Sequence, residues 1–261
     1  DLAHTLQTGR TELRCRGSIL RLAGQPDVLV KNEDVLSTPR LTFLFPGQGS
    51  QYIEMGKALF ETVPEFRTHF LECAQLLDQE LGFDFRAFMF NPENKEALEN
   101  TRYTQPALFV MGVCIGKILL GWGIKPELMI GHSIGEFAAA HLAGVFTLDE
   151  GIRLIAARGR LMADLPRGRM LSVRGNLAEI KRRVGDQADL ASVNSPAHCV
   201  LAGSDAEIDR LQNELGAAGM ACRPLHTSHA FHSRMMDPVV GPFLELTRTV
   251  QFRLPKFTII S

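Results

Sequence analysis

The chain has 261 residues, 45% hydrophobic and 22% charged, with a formal net charge of -1. Those proportions are ordinary for a globular protein, sized for one large domain or one domain with a smaller insert. The near-neutral balance argues against nucleic acid and anionic membranes as partners, and no apolar run reads as a bilayer span or a signal peptide. The five cysteines (Cys15, Cys73, Cys114, Cys199, Cys222) are scattered and lack metal-ligand spacing, so no metal is expected. They read as reduced, mostly buried thiols of a cytoplasmic protein. A chain that begins with Asp1 reads as a piece cut from a longer product.

Residues 1–40 differ from the rest. Asp1 to Gln7 has helical spacing, Arg14, Arg16 and Arg21 read as a solvated face, and a polar stretch runs from Lys31 to Arg40. Together they read as a linker. Leu41–Phe45 is a strand pattern ended by Pro46-Gly47, and the Gly47–Gln51 loop precedes a helical pattern from Glu54 to Phe60. Such a loop can aim N–H groups at a ligand or be a plain glycine turn. Helical patterns follow over 65–81 and 106–120, the second apolar nearly all round and therefore expected in the centre of the fold.

Leu128 to Ile130 is an apolar run entering Gly131-His132-Ser133-Ile134-Gly135, and an alanine-rich helical pattern follows. Strand, Gly-x-Ser-x-Gly turn and helix is the context of a nucleophile elbow. The alternative is a buried turn serine that only caps the helix. Leu148–Met162 is helical and carries Arg153, Arg158 and Arg160. From 166 to 229 the elements alternate strand, helix, strand, strand, helix, strand, the order of a ferredoxin-like unit. Pro238–Val250 is helical and Phe257–Ser261 strand-like. The fold class expected is α/β: an α/β-hydrolase-like large subdomain with a parallel sheet (41–165 and 230–261) and an inserted ferredoxin-like small subdomain (166–229). A substrate cleft is expected between them.

A seryl nucleophile needs a base, and the chain has eight histidines. His132 is a poor one, because neighbouring side chains diverge around a sharp turn. His229 and His232 sit where the chain leaves the small lobe. Of many acids between Ser133 and His229 none stands out as a third member, so a backbone carbonyl could orient the base instead. Arg158 could grip a carboxylate through paired hydrogen bonds, but periodicity does not separate it from Arg153 and Arg160.

Five blocks occur in one order: Phe45-Pro46-Gly47-Gln48-Gly49-Ser50-Gln51, Tyr103-Thr104-Gln105-Pro106-Ala107, Gly131-His132-Ser133-Ile134-Gly135-Glu136, Arg158-Gly159-Arg160-Leu161-Met162 and Ser228-His229-Ala230-Phe231-His232-Ser233. Over residues 41–261 the chain resembles malonyl-CoA:acyl-carrier-protein transacylases, above all the acyltransferase domains of modular polyketide synthases. Residues 1–10 look like the ketosynthase-to-acyltransferase linker, which implies a ketosynthase in the same polypeptide. The resemblance implies Ser133 as nucleophile and His232 as base. It implies an oxyanion hole from the N–H groups of Gln48 and Ile134, and Arg158 as the carboxylate clamp. Gln105, His132, His229 and Phe231 fall among its substrate-binding positions. It also implies that the carbonyl orienting the base falls beyond Ser261. The substrates implied are malonyl-CoA and a carrier protein bearing phosphopantetheine, with no bound cofactor. His229-Ala230-Phe231-His232 is the form associated with malonyl rather than methylmalonyl units, and Phe231 would fill the space of a branching methyl. An esterase or thioesterase, the same transfer with another extender unit such as methylmalonyl, and an inactive docking domain are the competing readings.

Overall fold

The computed structural model describes residues 16–20, 24–32 and 40–261. Two compact units divide at Arg40. In the first, β1 (Arg16–Leu20) and β2 (Val28–Asn32) form an antiparallel hairpin with Arg16 opposite Asn32. The sequence reading assigned no strand there. The helix expected over 1–7 lies outside the described residues.

The second unit opens with β3 (Thr42–Phe45) and α1 (Lys57–Thr62). Then come α2 (Pro64–Leu81), the short α3 (Phe85–Met89) and α4 (Lys95–Leu98), and α5 (Thr101–Gly121). The helix α5 begins under an Asn100 cap, its side chain accepting from the Arg102 N–H. By length and hydropathy α5 could cross a bilayer, which corrects the expectation that no stretch could. Yet 67% of its apolar window is buried within the protein, as suits a core helix. Its residues Phe109, Val110, Val113 and Cys114 pack with Phe66, Phe70 and Leu77 of α2 in the main core.

β4 (Leu128–Gly131) lies parallel between β3 and β9 (Thr258–Ile260), with Phe45 opposite Gly131 and Ile130 opposite Ile260. Two helices follow β4: α6 (Gly135–Leu142) and α7 (Leu148–Ala163). α7 starts at a reciprocal capping box between Thr147 and Glu150. The Glu150 carboxylate is held down to about 2 by the Thr147 and then the Gln251 N–H groups. It thereby ties α7 to the segment leading into β9, with Arg253 at 3.3 Å.

The inserted elements are β5 (Arg169–Arg174), α8 (Leu177–Val184), β6 (Asp189–Ser195), β7 (His198–Gly203), α9 (Asp205–Ala217) and β8 (Ala221–Pro224). The strands form one antiparallel sheet ordered β6-β7-β5-β8. Its Leu171, Val173, Cys199 and Leu201 side chains pack on Ile180, Ile208, Leu211 and Leu215 of α8 and α9. A third cluster joins Met170, Val200 and Ala202 of this sheet to Met162, Ala230 and Phe231. The chain ends through α10 (Asp237–Thr247) and β9. The α/β class, with a three-stranded parallel sheet and a four-stranded antiparallel one, agrees with the sequence reading.

Candidate active site

The turn after β4 is tight because glycines permit it. A Cβ on Gly131 would lie 2.1 Å from the Glu136 nitrogen, and one on Gly135 would lie 2.3 Å from the Phe45 carbonyl oxygen. Strand and helix therefore approach each other at backbone distance, and Ser133 takes a left-handed φ of 54° at the apex. Gly135→Ala is expected to destabilise the fold by at least roughly 1–3 kcal/mol, because its neighbour is backbone that cannot step aside. A fall in urea midpoint with unchanged slope is the expected readout; an unshifted midpoint would contradict this packing.

His232 meets Ser133 from the far side of the cleft. Its Nε2 lies 2.9 Å from the Ser133 Oγ, and its own backbone is left-handed, with φ 58°. Burial, then the charge of Arg158, then His132 lower its pKa below the ordinary histidine value. The ring is thus neutral and able to accept a proton near neutral pH. Among the described residues no carboxylate is hydrogen-bonded to His232.

The three arginines of α7 separate clearly. Arg153 pairs with Asp149 at 3.4 Å and Arg160 is exposed. Arg158 alone of the three lines the Ser133 cavity, its guanidinium carbon 5.6 Å from the Phe137 ring centroid. Burial lowers its pKa to about 10, partly offset by Glu136, so it stays charged. A desolvated guanidinium with these neighbours is a ready partner for an anionic group.

The cavity has a volume of about 290 Å³. Gln48, Gln105, His132, Ser133, Ile134, Arg158, Phe231 and His232 all line it, as the sequence reading placed them at one site. Among the described residues, neither the Gln48 nor the Ile134 N–H is given to a protein acceptor, and Ile134 directly precedes α6. Gln105 is 2% exposed; its amide nitrogen contacts the Met162 sulfur and its Oε1 has no partner. His229 is not among the residues that line the cavity; it is buried, bonded through Nδ1 to Ser228 Oγ at 2.7 Å and through Nε2 to the Leu165 carbonyl at 3.1 Å. With both ring nitrogens occupied, it braces the loop that carries Phe231 and His232. The sequence reading missed the small-lobe wall, including Ser172, Asn194, His198 and Thr227. For Ser172 a signal was present in β5, where it alternates with the apolar Leu171 and Val173.

A model of the acyl transferase domain family matches residues 42–261. The chain is 37% identical over 223 residues to the mycoketide-CoA synthase of Mycobacterium tuberculosis, covering 85% of this chain and 5% of that relative. It is also similar to the solved acyltransferase domain from the second module of the salinomycin polyketide synthase, with 34% identity and a TM-score of 0.87 over 99% of this chain and 65% of that one. A third likeness is to a malonyl-transacylase solved in complex with a type II acyl-carrier protein, with 30% identity and a TM-score of 0.77 over 85% and 74% of the two chains. The chain thus spans a small fraction of the curated relatives it matches. A match through every element from β3 to β9 leaves no doubt of kinship: the chain belongs to the acyl transferase domain family.

Proposed function

We propose that this chain is the acyltransferase of a polyketide synthase, moving a malonyl unit from coenzyme A to the phosphopantetheine thiol of an acyl carrier protein. The observation that carries this reading is one cavity holding both a Ser133–His232 pair at 2.9 Å and a charged, desolvated Arg158. Ser133 Oγ attacks the thioester carbonyl while its proton passes to His232 Nε2. The N–H groups of Gln48 and Ile134 stabilise the oxyanion. As the tetrahedral adduct collapses, the C–S bond breaks and His232 returns the proton to the departing thiolate. The malonyl-seryl ester is then attacked by the carrier-protein thiol, with His232 taking that proton and returning one to Ser133. Arg158 holds the malonyl carboxylate throughout, and Gln105 and His132 line its pocket. No bound cofactor or metal takes part in this scheme.

The carrier-protein partner is supported by the neighbour solved with such a protein. Residues 1–40 are proposed as the linker from a ketosynthase, 41–165 and 230–261 as the large subdomain, and 166–229 as the small one, all in the cytoplasm. Mass spectrometry after incubation with malonyl-CoA should find a malonyl adduct on the Ser133 peptide; adduct elsewhere, or none, would sink the reading.

Phe231 sets size. It is 8% exposed and lines the cavity beside the His229 ring, with centroids 5.8 Å apart. Phe231→Ser is expected to raise methylmalonyl use relative to malonyl by about 10- to 100-fold, the scale of a methyl group in an apolar pocket. Competition between the two thioesters checks this, and an unchanged ratio would remove Phe231 as the filter.

A further inference from the structure

His232 holds its ring 2.9 Å from Ser133 Oγ on a left-handed backbone, with φ 58°. Such a conformation persists only where the surroundings over-determine it. The bonds of the next residue are local: Ser233 Oγ donates to the Ala230 carbonyl at 2.6 Å and accepts from the Met235 N–H at 3.2 Å. Local bonds shape the turn but do not fix its place in the molecule. Phe231 and Met236 pack with Met170 and Val200 of the small lobe, yet apolar contact has no direction.

The directional tie comes from β6. Asp189 Oδ2 accepts the Arg234 N–H at 2.8 Å, two residues past the base. The Arg234 Nε donates to the same carboxylate, 3.2 Å from Oδ1 and 3.1 Å from Oδ2, and its Nη2 lies 3.1 Å from Oδ1. That Nη2 also donates to the Asp186 carbonyl at 3.2 Å. One carboxylate thus grips both the main chain and the side chain of one residue, through charge-assisted bonds. The Arg234 guanidinium, above all, holds the Asp189 carboxyl below its usual pKa, so the tie is ionic near neutral pH. Asp189 is itself set in the sheet, opposite Ala202 of β7. Asp189 and Arg234 line a cavity of about 300 Å³ that shares no residue with the one at Ser133.

We propose that Asp189 is a positioning residue for the base: by gripping the Arg234 N–H and guanidinium it ties the turn to the small lobe and sets the His232 ring over Ser133. The proposal rests on His232 being the base. The tie is partly exposed, so its share of overall stability is small. Its effect lies in geometry, where a shift of the imidazole by about 1 Å can slow proton transfer far more than it weakens the fold.

The test follows acylation of Ser133 on the full chain with malonyl-CoA, in single variants and in a double-mutant cycle with His232→Ala. Asp189→Ala should lower kcat about tenfold and leave KM within about twofold, because the loss falls on the base and not on the acyl pocket. Asp189→Asn keeps an oxygen for the Arg234 N–H and should restore kcat to within about threefold of the unsubstituted protein. Arg234→Gln keeps the main-chain bond and should lose about threefold in kcat. It carries the cycle if Asp189→Ala does not fold. In the His232→Ala background neither Asp189→Ala nor Arg234→Gln should slow acylation further. An unchanged kcat in folded Asp189→Ala, an Asp189→Asn as slow as Asp189→Ala, or an equal loss without His232 overturns the proposal. If His232→Ala alone keeps the unsubstituted rate, the reading of the base fails instead, which is a distinguishable result.

Discussion

Arg158→Ala is expected to lower kcat/KM for malonyl-CoA by about a hundred- to several-thousandfold. Removing one partner of a buried ion pair costs roughly 3–5 kcal/mol, because the other charge is left desolvated and alone, and each ~1.4 kcal/mol is a factor of ten. Acetyl-CoA should move the other way: in the unsubstituted protein it leaves the guanidinium unpaired, a cost the variant no longer carries. Competition between the two donors reads this, and unchanged malonyl preference would refute the clamp. A second readout follows from His232. Its lowered pKa owes most to burial and next to Arg158. The base works only when neutral, so acylation fails as pH falls through that pKa. Without the neighbouring cation the pKa rises, and the acid limb of the acetyl-CoA profile should shift to higher pH. A limb that stays in place would show that Arg158 does not act on the base.

His232→Ala is expected to slow acylation of Ser133 about 10²- to 10⁴-fold, the usual share of a positioned general base. No neighbouring imidazole takes its place: His132 lowers the His232 pKa by its charge, but the hydrogen bond to Ser133 Oγ belongs to His232. The loss should fall on kcat, with KM nearly kept, because the imidazole touches the nucleophile and not the carboxylate. Stopped-flow release of coenzyme A separates the two constants. A variant that kept its rate would mean Ser133 is activated in some other way.

Much of the fold is legible in the sequence where local signals are strong. The strand-helix order read over 166–229 is the order in the structure, and its first helix, Leu177–Val184, is marked locally because Asn176 caps its start and Gly185 ends it. The five-residue helix Phe85–Met89 is too short to show a period. The Arg16–Asn32 hairpin carries no clean two-residue alternation and so reads as linker. At the site, the elbow is legible because its glycines are forced by backbone contact at Phe45 and Glu136. Arg158 is not legible from periodicity, since its selection over Arg153 and Arg160 depends on which way α7 turns its face to the cleft. His229 shows the converse. It stands three residues from His232, yet the chain reversal sends one ring into the cavity and the other to the Leu165 carbonyl. Spacing in sequence carries no sign of that division.

Ser133 as a loading point between two thioesters is the centre of this account. The most direct test isolates the malonylated chain and follows the fate of its acyl group with and without a holo acyl carrier protein. The account predicts a stable seryl ester in buffer alone and rapid transfer to the carrier thiol when the protein is added. Free malonate released as fast without the carrier protein as with it would contradict the account and make the chain a hydrolase.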